Sequence, residues 1–220
     1  MDLYKAMLER NSVRRYTDEP LRQEQIDELN KAIAKVNKES GLHFQLVVNE
    51  PEAFQGKGAS YGHFSGCTDY IIAVGKKGKD EEIGYYGEEL VLICQALGIN
   101  SCWVALTYNK RKVLPEINKG EKFYLVISIG YGIHQGRPHK NKPMEEVYSC
   151  DGEAPKWFMD GVNASMTAPT AINQQKFHFT YKGGNKVKAN ALIGPYSKMD
   201  LGIAKYHFEL GAKNKDLEWV

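Results

Sequence analysis

The chain has 220 residues, 42% hydrophobic and 25% charged, with a formal net charge of +2. That length suits one large domain or two small lobes with a real core, and the composition is that of an ordinary globular protein. The near-neutral charge excludes nucleic acid and membrane surfaces as main partners, and no apolar run approaches membrane-spanning length.

Four cysteines, Cys67, Cys94, Cys102 and Cys150, form no C-x-x-C pair and have no histidine at zinc-finger spacing. The sequence therefore carries no metal site. With no apolar leader region after Met1, it reads as a cytoplasmic protein.

Met1 to about Arg10 reads as a short helix with Leu3, Met7 and Leu8 on one side. A basic stretch follows, Glu9-Arg10-Asn11-Ser12-Val13-Arg14-Arg15-Tyr16. If the last helical turn persists, Arg10 and Arg14 share a face with the Ser12 hydroxyl between them. Such a cluster suits a phosphate monoester, because guanidinium forks stay charged and match phosphate oxygens. A solvated basic turn at a helix C-terminus is the other reading of this stretch alone, since the helix dipole favours cations there.

Thr17-Asp18-Glu19-Pro20 starts a second helix with the apolar stripe Ile26, Leu29, Ile33 and Val36, ending at Gly41. Phe44–Val48 alternates like a strand. Phe54–Gly66 is a glycine-rich loop whose spacing matches no phosphate-loop pattern, and its His63 reads as an exposed loop residue. Tyr70–Gly75 is a strand closed by a lysine-rich turn. Gly87–Gly98 is a buried helix stopped by its last glycine. Phe123–Gly132 is another buried strand. The basic, proline-containing segment His134–Pro143 reads as an extended linker. A helix opens at Ala154-Pro155 and breaks at Ala168–Gln175. Lys176–Tyr181 is a strand, Lys182–Asn185 a turn, and Met199–Leu210 a final helix stopped by Gly211.

The order of helix, strand and then apolar helix ending Leu-Gly occurs twice, with Leu97-Gly98 answering to Leu210-Gly211. Only the first copy carries the arginine cluster.

Four segments together resemble the FMN-dependent nitroreductase family. Arg10-Asn11-Ser12-Val13-Arg14 resembles its R-x-S-x-R motif, and Ala168-Pro169-Thr170-Ala171-Ile172-Asn173-Gln174-Gln175 its A-P-S-S-x-N-x-Q loop. The helix to Gly98 with Ser101-Cys102-Trp103-Val104 resembles its buried helix and flavin-facing turn. Ser128–Gly132 with the basic tail to Val147 resembles its closing strand. One departure is large: the loop at 168–175 follows the tail instead of preceding it. The chain thus resembles a single-chain, internally duplicated nitroreductase branch.

That resemblance implies an α+β fold of two half-domains forming a pseudo-dimer, monomeric in solution. Residues 1–150 would be a nitroreductase-like lobe with the phosphate-binding arginines, and 151–220 a half-lobe supplying the partner flavin loop. Arg10, Ser12 and Arg14 would hold the FMN phosphate, with Arg137 or Lys140 as an additional cation; Arg15 itself reads as pointing away, its role open. Pro169, Thr170, Ala171 and Asn173 would line the flavin, and the Ala105-Leu106-Thr107 turn would offer backbone N–H groups to it. Ala171 stands where the family has a second serine. The implied activity is ping-pong transfer from NADH or NADPH through FMN to a flat small-molecule acceptor such as a nitroaromatic or quinone. The cofactor carries the chemistry, so no catalytic side chain is assigned. A flavin-storage protein and a related flavin enzyme such as a reductive dehalogenase are the alternatives.

Overall fold

The computed structural model describes residues 1–220. It contains two compact units, residues 1–79 with 90–137 and residues 80–89 with 138–220. The fold is mixed α+β with two separate four-stranded sheets.

In the first unit, α1 (Leu3–Glu9) is capped by Asp2, whose carboxylate accepts the Lys5 N–H at 3.0 Å. It stops at Arg10, where the backbone turns extended (ψ 129°). The second helix, α2 (Gln23–Ser40), begins later than the Thr17–Pro20 start read from sequence. Residues 15–17 are already committed elsewhere: Tyr16 N–H donates to Ser65 O, Thr17 N–H to Tyr131 O, and Arg15 O accepts from Ile133 N–H. The buried stripe of α2 is Gln25, Leu29, Ile33 and Val36, with Gln25 taking the place expected for Ile26. Gln25 is a satisfied polar anchor, donating to Leu97 O at 2.9 Å and accepting from the Tyr131 hydroxyl and from Arg22 N–H.

The chain continues through β1 (His43–Val47), α3 (Lys57–Tyr61), β2 (Asp69–Lys76), α4 (Asp80–Ala96), β3 (Asn100–Val104) and β4 (Glu121–Gly130). The short α3 lies inside the glycine-rich segment that the sequence suggests is all loop. Strand order is β1-β2-β4-β3, antiparallel throughout. The central pair β2 and β4 carries the continuous apolar runs, as a doubly covered strand requires. Phe54, Phe64, Tyr70 and Tyr108 fill one core together with Val13 and Tyr16. The segment following α1 is therefore built into the core, not laid over it.

In the second unit, Asp80–Glu89 of α4 accompanies β5 (Tyr148–Ser149), α5 (Lys156–Ser165), β6 (Phe177–Tyr181), β7 (Lys186–Ala191), α6 (Ser197–Ala212) and β8 (Glu218–Trp219). The sheet runs β5-β6-β7-β8, an antiparallel hairpin flanked by two short parallel edges. Phe158, Phe179 and Phe208 are fully buried between it and the helices, with Phe179 and Phe208 centroids 4.8 Å apart. Two glycines act here as contact points. A Cβ on Gly84 would meet Met199 O at 2.0 Å, and one on Gly202 would meet Glu81 O at 1.9 Å, so α4 and α6 cross nearly backbone to backbone. The helix α4 starts at Asp80 and not at Gly87, with Asp80, Glu81 and Glu82 in its first turn, where the helix dipole favours acids. Gly211 likewise lies inside α6, where a Cβ would meet that of Ala164 at 2.3 Å. It packs the helix and does not stop it.

With the short α3 set aside, the chain runs helix, strand, strand, helix, strand twice: α2-β1-β2-α4-β3, whose α4 lends its first ten residues to the second unit, and α5-β6-β7-α6-β8. The Leu-Gly register read from sequence does not carry over, because Gly98 follows a helix end with φ +77° and Gly211 does not.

Candidate functional site

Residues 11–16 form an extended strap, which corrects the expectation that Arg10 and Arg14 share a helical face. The strap bridges β3 at Ser12–Ser101, the loop before β2 at Arg15–Ser65, and the turn after β4 at Tyr16–Gly132. Val13 N–H donates to Ser101 O at 3.0 Å, Ser65 N–H to Arg14 O at 3.1 Å, and Ile133 N–H to Arg15 O at 2.9 Å. Backbone pairing on both sides replaces the intrahelical bonds that a continued α1 would have made.

Tyr16 locks the strap from beneath. It is buried, and its hydroxyl donates to Val13 O at 2.7 Å while sharing a 2.8 Å bond with Ser128 Oγ. Burial holds its phenol well above the usual tyrosine range, so it stays protonated. Two glycines let the strap come this close. A Cβ on Gly66 would sit 2.3 Å from Tyr16 O, and one on Gly132 would sit 2.7 Å from a Val13 methyl. Asn100 completes the frame, accepting from Gly132 N–H and donating to Gln135, both at 2.9 Å.

The outer side of the strap lines an open pocket of about 310 Å³ with Ser12, Val13, Arg14, Arg15, His63, His134 and Gly136. No carboxylate lines it. Arg14 is exposed, whereas Arg10 is buried at 5% exposure. Both guanidinium groups act on the Cys102 thiol of β3, which also shares a hydrogen bond with Ser12. Burial pushes that thiol up, and Arg14 first, then Arg10, oppose the shift. Of the three residues expected to hold a phosphate, Ser12 and Arg14 line this pocket, while Arg10 is buried and does not.

Arg15 departs from the sequence reading, because it lines the pocket. His63 is the exposed loop residue read from sequence and His134 falls at the start of the basic linker, and both also line the pocket. They lie far apart in sequence, and the available signal was their glycine neighbours, Gly62 and Gly132 with Gly136, which shape tight turns. Arg137 is exposed and does not line this pocket. Ala105, Leu106 and Thr107 form a bend leaving β3, with Leu106 63% exposed and Thr107 against Gly62.

In the second unit, the Ala168–Gln175 loop is a built turn. Thr170 Oγ1 accepts Gln175 N–H at 3.0 Å, and the carboxylate of Asp200 accepts Ala171 N–H at 3.0 Å and Gln174 Nε2 at 2.7 Å. Asn173 Nδ2 and Gln175 Nε2 both donate to Lys140 O, at 2.7 and 3.0 Å. Lys140 is thereby fixed through its backbone while its side chain stays exposed. Burial raises the Asp200 carboxyl to about 6, against the lowering effect of the two hydrogen bonds. Ile172 at the tip has φ +48° and is 88% exposed, an unusual conformation for a β-branched residue. Pro169 is buried and Ala171 half-buried.

The chain is similar to solved structures across most of its length. A protein of Thermotoga maritima described as a "putative nitroreductase" is 23% identical, covering 96% of this chain and 83% of that one at a TM-score of 0.70. A Desulfovibrio desulfuricans protein described as a "putative nitroreductase in complex with FMN" is 17% identical over 70% of this chain and 98% of that one, at 0.52. A Parabacteroides distasonis protein described as a "Putative NADH dehydrogenase/NAD(P)H nitroreductase" is 18% identical over 67% and 96%, at 0.50. At these identities the likeness establishes the shared fold. No curated protein sequence matches the chain. The family model described as "Putative TM nitroreductase" matches residues 2–212, nearly the whole chain, and the chain belongs to that nitroreductase family.

Proposed function

We propose that the protein is an FMN-dependent oxidoreductase that takes electrons from NADH or NADPH and passes them to a flat small-molecule acceptor. The observation that carries this reading is the strap. It carries Ser12 and Arg14, and its outer side lines a carboxylate-free pocket together with Arg15, His63 and His134. A phosphate monoester fits that donor set: guanidinium and hydroxyl groups match its oxygens, and no acidic group repels it. The FMN bound by the Desulfovibrio desulfuricans protein of the same fold supports the choice of ligand.

When bound, FMN supplies the redox chemistry. The chain's own residues bind and orient it. Ser12 and Arg14 take the phosphate from the pocket wall, Arg15, which lines the pocket, adds charge there, and Arg10, buried outside the lining, is assigned to the phosphate by resemblance. Arg137 and Lys140 are further exposed cations assigned to the phosphate by resemblance. The N–H groups of the Ala105–Thr107 bend and the Pro169, Thr170, Ala171 and Asn173 loop are assigned to the ring on the same ground. The repeated element order supports descent of the two units from one ancestral half, with one FMN per chain.

Arg14→Ala is the decisive variant, because Arg14 is exposed and its loss leaves the core intact. Loss of one charge-assisted contact of about 1.5–3 kcal/mol weakens FMN binding about 10- to 100-fold. Unchanged FMN affinity, followed by flavin fluorescence quenching, refutes the assignment. Anaerobic bleaching of the bound flavin by NADH or NADPH, and return of colour with a nitroaromatic or quinone, separates an enzyme from a flavin carrier.

A further inference from the structure

The first unit has a second concave surface, which shares only Leu106 with the residues assigned to the flavin. An open pocket of about 600 Å³ is lined by Gln55–Gly58 on one side and by Leu106 and Tyr108–Lys112 on the other. Four cations face it: Lys57, Lys110, Arg111 and Lys112. Lys112 is paired with Glu52 at 2.8 Å. Lys57, Lys110 and Arg111 are exposed and form no ion pair with a carboxylate, so their charge is available to a ligand.

The surface is shaped by backbone, not by chance exposure. Asn109 closes a tight turn, its side chain accepting Arg111 N–H at 3.3 Å and its carbonyl accepting Lys112 N–H at 3.0 Å. Asn109 N–H donates to Ala53 O at 2.7 Å, which fixes that turn against the segment carrying Lys57. Gly58 is backed against Tyr108, where a Cβ would lie 3.2 Å from the carbonyl oxygen. Gly56 has open space where a Cβ would be, so backbone lies bare on the pocket's other side. Leu106, 63% exposed, joins this pocket to the bend leaving β3.

We propose that this pocket holds the phosphate groups of the nicotinamide dinucleotide donor, with Lys57, Lys110 and Arg111 as the cations that contact them. The inference rests on the flavin reading for its place, because Leu106 belongs to the bend assigned to the ring. Unpaired lysine and arginine around a concave backbone surface recognise phosphodiester and phosphomonoester oxygens. An exposed leucine beside them gives a flat heterocycle an apolar face. A nicotinamide dinucleotide combines both features, and a 2′-phosphate would add a further dianion for the same turn.

The test uses the full chain with FMN added, and NADP⁺ as the probe. Lys110→Ser combined with Arg111→Ser should weaken NADP⁺ binding at least tenfold by calorimetry, about 1.4 kcal/mol. Added salt should weaken wild-type binding more than binding to the variant. Flavin occupancy should stay the same, and 1-benzyl-1,4-dihydronicotinamide, which lacks phosphates, should reduce the flavin equally in both proteins. Lys57→Ser, on the opposite wall, should reproduce part of the loss, which guards against a local effect on the turn. Unchanged NADP⁺ affinity in all variants overturns the proposal while leaving the flavin reading in place. An equal loss with the phosphate-free donor overturns it as well. If the chain takes up no FMN the flavin reading fails, and NADP⁺ binding that depends on Lys110 and Arg111 still decides this pocket.

Discussion

Replacing Gly66 by alanine tests whether the strap lies as close to its neighbour as the structure has it. Gly66 has φ +71°, and a Cβ there would lie 2.3 Å from Tyr16 O and 3.0 Å from its carbonyl carbon. A suitable control exists in the same unit. Gly98 has φ +77°, and a Cβ there meets nothing within 4 Å. Both substitutions carry the left-handed penalty of about 1 kcal/mol for a residue with a side chain. Only Gly66→Ala also drives the Tyr16 carbonyl away, by about 1 Å to restore van der Waals contact.

That displacement strains the Tyr16–Ser65, Thr17–Tyr131 and Ile133–Arg15 backbone bonds. Losing one or two of them costs about 1–3 kcal/mol. Gly66→Ala should therefore lose about 2–4 kcal/mol against about 1 kcal/mol for Gly98→Ala. In a chain of this length each kcal/mol lowers Tm by about 2–4 °C. Hydrogen exchange at the Tyr16 and Thr17 amides should rise in Gly66→Ala alone. FMN affinity should fall with it, because Ser12 and Arg14 ride on the same strap. Equal melting losses and equal exchange in the two variants would refute the close approach and, with it, the strap as the organiser of the site.

Three further outcomes follow from the second unit and from Tyr16. Asp200 has a folded pKa raised to about 6 from 3.8, so the folded state binds the extra proton between those values. Its contribution to stability is fully present below about pH 4 and is lost as pH rises to about 6, an effect of about 3 kcal/mol that denaturant midpoints at pH 4 to 7 should reveal and Asp200→Asn should abolish. Glu88 and His207 are both fully buried and 2.9 Å apart, with His207 Nδ1 on Thr167 Oγ1 at 2.8 Å. Glu88→Ala leaves that buried ring nitrogen without its partner and should cost about 1–3 kcal/mol by chemical denaturation, while an unaltered midpoint would show the pair to be idle. Tyr16→Phe removes the hydroxyl bonded to Val13 and Ser128 and should cost about 1–3 kcal/mol with weaker FMN binding.

What could be read from the sequence, and what could not, divides by how locally each feature is determined. The strands β2 and β4 are apolar along nearly their whole length, and such runs announce themselves. By contrast, β7 buries only Val187, and β5 and β8 have two residues each, so their pairing is decided by neighbours that no local pattern reveals. The start of α4 was hidden because Asp80-Glu81-Glu82 prolongs a charged turn and Gly84 and Gly87 look like helix breakers. Those acids suit a helix N-terminus, and Gly84 serves the crossing with α6. A glycine that permits contact and one that permits a turn are identical in sequence; Gly98 and Gly211 are one of each.

The strap shows the same division at the site itself. Arginines and serine at that spacing were legible as chemistry, because charge and donor geometry belong to the residues. Their arrangement was not, because the choice between a continued helix and an extended strap depends on who supplies the hydrogen bonds. Ser101, Tyr131 and Ser65 supply them, from positions roughly 50 to 115 residues away along the chain. On the extended path Arg15 lines the pocket together with His63 and His134. The proposed phosphate recognition is compatible with either conformation, but the number of cations on the pocket wall differs between them. Arg15→Ala separates the two geometries: on a helical turn it leaves FMN affinity unchanged, and on this strap it should lower that affinity several-fold in low salt, with the effect shrinking as salt is added.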